Sequence, residues 1–180
     1  MKYSRESISK QYDSGEILKF LLFWGHQPSK DGGITSSCLS QWWVSSFTDN
    51  KFQYKTAEHY MMAEKARLFE DKDVLEKILL SDHPHEAKKL GRQVKGFDVS
   101  VWNQHKYEFV KQGNYYKFSQ NQELKNFLIK TRKRILVEAS PIDKIWGIGL
   151  SSNHNDTQNP NLWRGENLLG FALMEVRDQL

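Results

Sequence analysis

The segment Thr56 to Phe69, TAEHYMMAEKARLF, places a carboxylate and an amine on one side of a candidate helix. At 3.6 residues per turn, Glu58, Met61, Met62 and Lys65 share a face. Glu58 and Lys65 lie roughly 10 Å apart along the axis, too far for a simple intrahelical pair. Their long side chains can instead converge on a molecule lying across the face. A carboxylate there stabilises developing positive charge; a lysine donates a proton or, desolvated and neutral, attacks an electrophilic carbon. On spacing alone the plainer arrangement has the advantage, with Glu58 answering the helix dipole and Lys65 in solvent.

Two further segments join an indole to glycine: Phe23-Trp24-Gly25, and Trp146-Gly147-Ile148-Gly149 just after Ser140-Pro141-Ile142-Asp143. Glycine lets backbone approach a ligand closely, and the indole supplies a flat surface. A tight turn covered by a core Trp explains the same letters. Asn167, near the start of the last helical stretch, serves equally as a cap. Other motifs fail. His85-Glu86 meets Lys89 where a zinc helix needs its second His, and His83 and His85 lie on different helix faces. Cys38 is the single cysteine, so no Cys pair is available for zinc. Gly147-Ile148-Gly149 meets Ser152 where a dinucleotide fingerprint needs its third glycine. No metal and no cofactor is expected.

The elements that would position these residues read mostly as helix. Thr56 caps a helix running to about Phe69, and Val74 to Leu80 is a second. A third runs from about Pro84 to Leu90, with Gly91 as its stop. Trp102, His105, Phe109 and Tyr116 recur at helical spacing, Asn121 is a candidate cap for Leu124 to Leu128, and Leu169, Leu173 and Val176 share a closing face. Lys19 to Trp24 and Ile135 to Val137 read as buried strands, and Leu39 to Phe52, broken at Asp49-Asn50, as a short hairpin. Ser151 to Asn161 is polar throughout and reads as a surface loop. Residues 1–16 carry no periodicity and read as a loosely held arm.

A chain of 180 residues, 38% hydrophobic and 27% charged, with 4 Pro and 11 Gly, suits one folded domain rather than a disordered or collagenous polymer. The expected organisation is an N-terminal arm over 1–16 and one domain over 17–180. The longest apolar run, Phe20 to Trp24, is far too short to span a membrane. The polar start and lone cysteine point to an intracellular, cytoplasmic setting, or a nuclear one in a eukaryote. Twenty-six basic against 22 acidic residues leave a net charge of +4, compatible with phosphate or nucleic-acid partners without requiring them. The basic run Lys130, Arg132, Lys133, Arg134 reads as a solvated helix end.

The ordered set EHYMMAEKA, AKKLGR, WGIG and ENLLGFALMEVR resembles the NADAR family, also called YbiA-like, from about Phe20 to the C-terminus. The FWGH segment, Phe23 to His26, and the S-P-x-D-x-x-W-G-I-G segment, Ser140 to Gly149, match one subgroup. Two departures stand out. Leu39-Ser40-Gln41-Trp42 occupies the place of F-S-N-F, and Ile148 replaces the acid of W-G-D-G, so no role of that acid carries over. The resemblance implies a mainly α, single compact helical domain with a few short β-strands, and hydrolysis of N-glycosidic bonds to ribose. It implies Glu58 and Lys65 as catalytic residues. Phe23, Trp24, Gly25, Arg92, Asp143, Trp146, Gly147 and Asn167 are the candidate substrate-binding residues, with Arg92 a phosphate clamp. Two substrate classes follow: ADP-ribosylated guanine in nucleic acid, and ribosylamino-pyrimidine phosphates of the riboflavin pathway. A module that binds ADP-ribose or nucleotide without turnover is a further alternative.

Overall fold

The computed structural model describes residues 1–180. In chain order the elements are α1 (Arg5–Asp13), β1 (Phe20–Phe23), β2 (Phe47–Thr48), β3 (Gln53–Tyr54), α2 (Ala57–Leu68), α3 (Lys72–Leu80), α4 (Pro84–Gly91), α5 (Val99–Gln120), α6 (Gln122–Lys130), β4 (Ile135–Glu138) and α7 (Leu168–Gln179). The fold is mainly helical with a few short strands, and no helix is long and apolar enough to cross a membrane. The chain divides into two compact units, Met1–Ser40 with Glu123–Leu180, and Gln41–Gln122.

In the first unit, β1 and β4 pair in parallel, Phe20 opposite Ile135 and Phe23 opposite Glu138. Ile135, Leu136 and Val137 are all buried, the continuous apolar signature of a strand covered on both faces. Helix α7 lies against this pair. A Cβ on Gly170 would meet the Leu136 carbonyl oxygen at 2.1 Å, so only glycine permits that approach.

Asn167, fully buried and in the left-handed region at φ 57°, fastens the same strand. Its Nδ2 donates to the Leu136 carbonyl (2.9 Å), and its Oδ1 accepts from the Glu138 N–H (3.0 Å). The expectation that Asn167 binds substrate is corrected here: its amide is spent on β4 backbone. Asn167→Ala should lower stability by about 3 kcal/mol, because it strands two buried backbone groups and puts Ala at positive φ. Chemical denaturation checks this; a loss below about 1 kcal/mol would show that the clip is dispensable.

Residues 1–16 also differ from the expected loose arm. Ser4 and Ser7 form a reciprocal capping box that starts α1, and Ile8 is 1% exposed. Arg5 donates to the carbonyls of Pro160 and Asn161. A single apolar anchor in a polar helix leaves almost no periodic signal, which is why the segment reads as irregular.

In the second unit, β2 and β3 form the expected hairpin, with Asn50 at φ 76° in its turn. Thr56 caps α2 by accepting from the His59 N–H. Helices α3, α4 and α5 pack around α2. The approaches are close where glycine faces a bulky side chain: a Cβ on Gly91 would meet Met62 Sδ at 2.1 Å, and one on Gly113 would meet the Tyr60 ring at 2.6 Å. Gly91 is the last residue of α4 rather than its stop. Asn121 donates to the carbonyls of Lys117 and Ser46 instead of capping α6.

Candidate active site

Helix α2 is buried along most of its length, residues 57 to 63 and Ala66 being inaccessible. That burial takes Glu58 with it, to 3% exposure. Its backbone N–H donates to the Gln41 carbonyl (3.0 Å). The Gln41 side chain accepts in turn from Asn114 Nδ2 (2.7 Å), which also reaches the Val110 carbonyl. This buried amide pair ties the start of α2 to α5. Sequence reading noticed Gln41 only as a departure from F-S-N-F and missed Asn114, since nothing local links residues 73 positions apart.

Two turns on, Lys65 is half-buried. Its Nζ sits 3.9 Å from the centroid of the Phe97 ring and 5.7 Å from that of Trp102. Burial first, and the charge of Arg92 second, hold its ammonium below the ordinary lysine value. Arg92 follows α4 and lines a cavity of about 390 Å³ with Trp42, His85, Lys88 and Lys89. His85, Lys88, Lys89 and Arg92 stand at i, i+3, i+4 and i+7, one helical stripe of basic groups. Lys88 Nζ lies 5.6 Å from the Trp42 ring centroid, and His85 meets that indole edge-on. Cations beside an aromatic face suit a phosphate carried next to a flat ring.

At the opposite end of the charge scale, His59 is buried within α2, its Nδ1 2.8 Å from the Thr56 hydroxyl. Burial pushes its pKa down to about 4. The unfolded chain, with imidazole near 6.5, therefore binds more protons between about pH 4 and 6.5. Stability should be complete above pH 6.5 and fall by on the order of 2 kcal/mol as pH drops toward 4. Denaturation of the wild type and His59→Gln at both ends of that window checks this. An unchanged pH slope in the variant would assign the effect elsewhere.

The first unit carries the remaining predicted residues at the carboxyl ends of β1 and β4. Trp24 is 62% exposed, directly after β1, and Gly25 turns the chain at φ 79°. Phe23, by contrast, is 2% exposed. Its expected contact with substrate is corrected to a core role, because the last residue of β1 is the one that β1 buries. Asp143 accepts from the N–H groups of Ile145 and Trp146 (2.9 and 2.8 Å), so its carboxylate shapes the loop that presents the half-buried Trp146. A Cβ on Gly147 would meet the Glu138 carbonyl oxygen at 2.7 Å. Glycine there brings the loop onto the end of β4. Cys38 is buried.

Thus α2 carries Glu58 and Lys65 in the second unit, with Arg92, just after α4, acting on Lys65. The β1–β4 ends gather Trp24, Asp143, Trp146 and Gly147 in the first. The NADAR domain model matches residues 22–180. The chain belongs to the NADAR domain family. Among NADAR relatives, it is 40% identical to "N-glycosidase R617" of Acanthamoeba polyphaga mimivirus, over 91% of this chain and 98% of that protein. It is 33% identical to "Riboflavin biosynthesis protein PYRR, chloroplastic" of Zea mays, over 72% of this chain but a fifth (20%) of that longer protein. The solution structure of Escherichia coli YbiA matches with a TM-score of 0.68 at 25% identity, covering 89% of this chain and 84% of that one. In sequence, "N-glycosidase YbiA" of Escherichia coli is 32% identical over 71% of each chain.

Proposed function

We propose that this NADAR protein is an N-glycosidase that removes ADP-ribose from guanine bases of nucleic acid. The observation that carries the reading is the pairing on one face of α2 of a buried carboxylate, Glu58, with a half-buried lysine whose ammonium is destabilised. Two relatives bearing the name N-glycosidase support the reaction class.

Breaking the C1–N bond leaves positive charge on the ribose, which the Glu58 carboxylate stabilises in a dry setting. Neutral Lys65 Nζ supplies the electron pair that forms the new bond to C1. The electrons of the broken bond stay on the departing base nitrogen, which takes up a proton. Loss of the amine proton and opening of the ribose ring give an imine, which water hydrolyses to free sugar and regenerated lysine. Arg92 and the neighbouring basic stripe bind the diphosphate. Within the first unit, Trp24 and Trp146 offer flat aromatic surfaces. Gly25 and Gly147 let the backbone turn beside those indoles, and Asp143 positions Trp146.

A second reading, hydrolysis of ribosylamino-pyrimidine phosphates, is favoured by the similarity to the maize riboflavin protein. The purified protein is to be incubated with each substrate and the released sugar measured by mass spectrometry. Release of ADP-ribose from modified guanine at a higher kcat/KM supports the proposal. Preference for the pyrimidine phosphate would replace it, and tight binding of ADP-ribose without release from either substrate would make the protein a reader rather than an enzyme.

A further inference from the structure

The proposed reaction leaves unused the basic run Lys130, Arg132, Lys133 and Arg134. In the structure these residues line a cavity of about 1020 Å³ within the first unit, joined there by Lys19 and Arg177. Six cations thus face one space from the segment before β1, the end of α6 with its following turn, and α7. A helix dipole accounts for Lys130 in the last turn of α6, but its influence dies away within that turn. It does not explain the following three cations, or the two from elsewhere in the chain.

None of the six forms an ion pair within 4 Å, although the Asp178 carboxylate acts on Arg177 through space. The acids lining the cavity are Glu16 and Asp178, and Asp178 already binds Lys2 (2.5 Å) and the Tyr3 hydroxyl (2.7 Å). Half-buried Arg177 donates to Thr131 Oγ1 (2.9 Å) and the Arg134 carbonyl (2.8 Å), both neutral. Arg134 Nε donates back to the Thr131 carbonyl (3.2 Å), and Arg132 sits at φ 51°. Arg134 and Arg177 thus brace the turn, while Lys19, Lys130, Arg132 and Lys133 make no ion pair. Tyr3, the exposed Ile17 and the half-buried Leu18 add apolar and aromatic surface to the lining, while Ile8, Ile135 and Met174 there are buried.

We propose that this cavity is a groove for single-stranded nucleic acid, its cations on the phosphodiesters and its Tyr3, Ile17 and Leu18 side chains beside the bases. A cluster of cations next to aromatic and apolar side chains is the combination that sequence-tolerant strand binding uses. The volume stands at the top of the range for small-ligand pockets, leaving room for a strand to pass. Concavity argues against a lipid surface, which is met by protruding apolar and basic groups. The inference goes beyond the reaction, since it applies to unmodified strands.

Fluorescence anisotropy with a labelled, unmodified 15-nucleotide strand tests it. The double variant Lys19→Glu/Lys133→Glu changes two exposed side chains from different segments. At about 50 mM salt it should bind at least about 10-fold more weakly, and its log K against log salt should be shallower by roughly 1 to 2. Its rate on a nucleoside-sized ADP-ribosyl substrate should equal that of the wild type, which separates failure of the groove from failure of the proposed reaction. If the double variant melts early, Lys133→Gln alone should still weaken binding about 3-fold. Equal strand binding by wild type and variants overturns the proposal, as does a wild type that ignores the strand but binds phosphatidylserine vesicles.

Discussion

Glu58→Gln should fold like the wild type and release sugar at least about 100-fold more slowly, a barrier rise of about 2.7 kcal/mol. The substitution keeps the shape of a side chain that is 3% exposed and removes only its charge. In so dry a position an anion acts on a developing cation with little screening, so its loss appears in the transition state far more than in the ground state. The drop should therefore fall on kcat, with KM nearly unchanged. Single-turnover rates on ADP-ribosylated guanine, with a thermal melt to confirm folding, provide the measurement. Turnover within about threefold of the wild type would remove Glu58 from the mechanism.

Lys65→Arg should be inactive, because a guanidinium stays charged and cannot attack C1. Borohydride added during wild-type turnover should trap a sugar adduct, and peptide mapping should place it on Lys65. The local forces are opposed. The Phe97 ring at 3.9 Å attracts the ammonium, while burial and the Arg92 charge disfavour it. The net direction is downward, so the rate should rise with pH through an apparent pKa below the ordinary lysine value of about 10.4. An active Lys65→Arg enzyme with no trapped species would leave lysine a purely electrostatic or proton-transfer role.

The two substitutions touch different steps of the reaction. Glu58 is a claim about charge in a dry place, and Lys65 a claim about a lone pair. A protein that fails the second and passes the first is still a glycosidase, with water rather than lysine attacking the sugar. The groove of the first unit is separate again, because a strand can be bound whether or not its guanine is modified.

Local chemistry along the chain specifies the elements that carry these groups. Thr56 ahead of an apolar helix caps α2, Asp49-Asn50 turns the hairpin, and the run at Phe20 is β1. Dihedral preference and capping act within a few residues, so single-chain reading captures them. The i, i+7 placement of Glu58 and Lys65 on α2 is legible in the same way. What those side chains experience depends on long-range packing. Lys65 meets rings 32 and 37 positions away in Phe97 and Trp102. Asn167 turned from candidate ligand contact to buried clip because its partners, Leu136 and Glu138, lie on a distant strand. Lys19, Lys133 and Arg177 became one cavity wall although more than 150 residues separate the first from the last. Desolvation and electric field are sums over whatever the fold brings near, and no short window of sequence contains those sums.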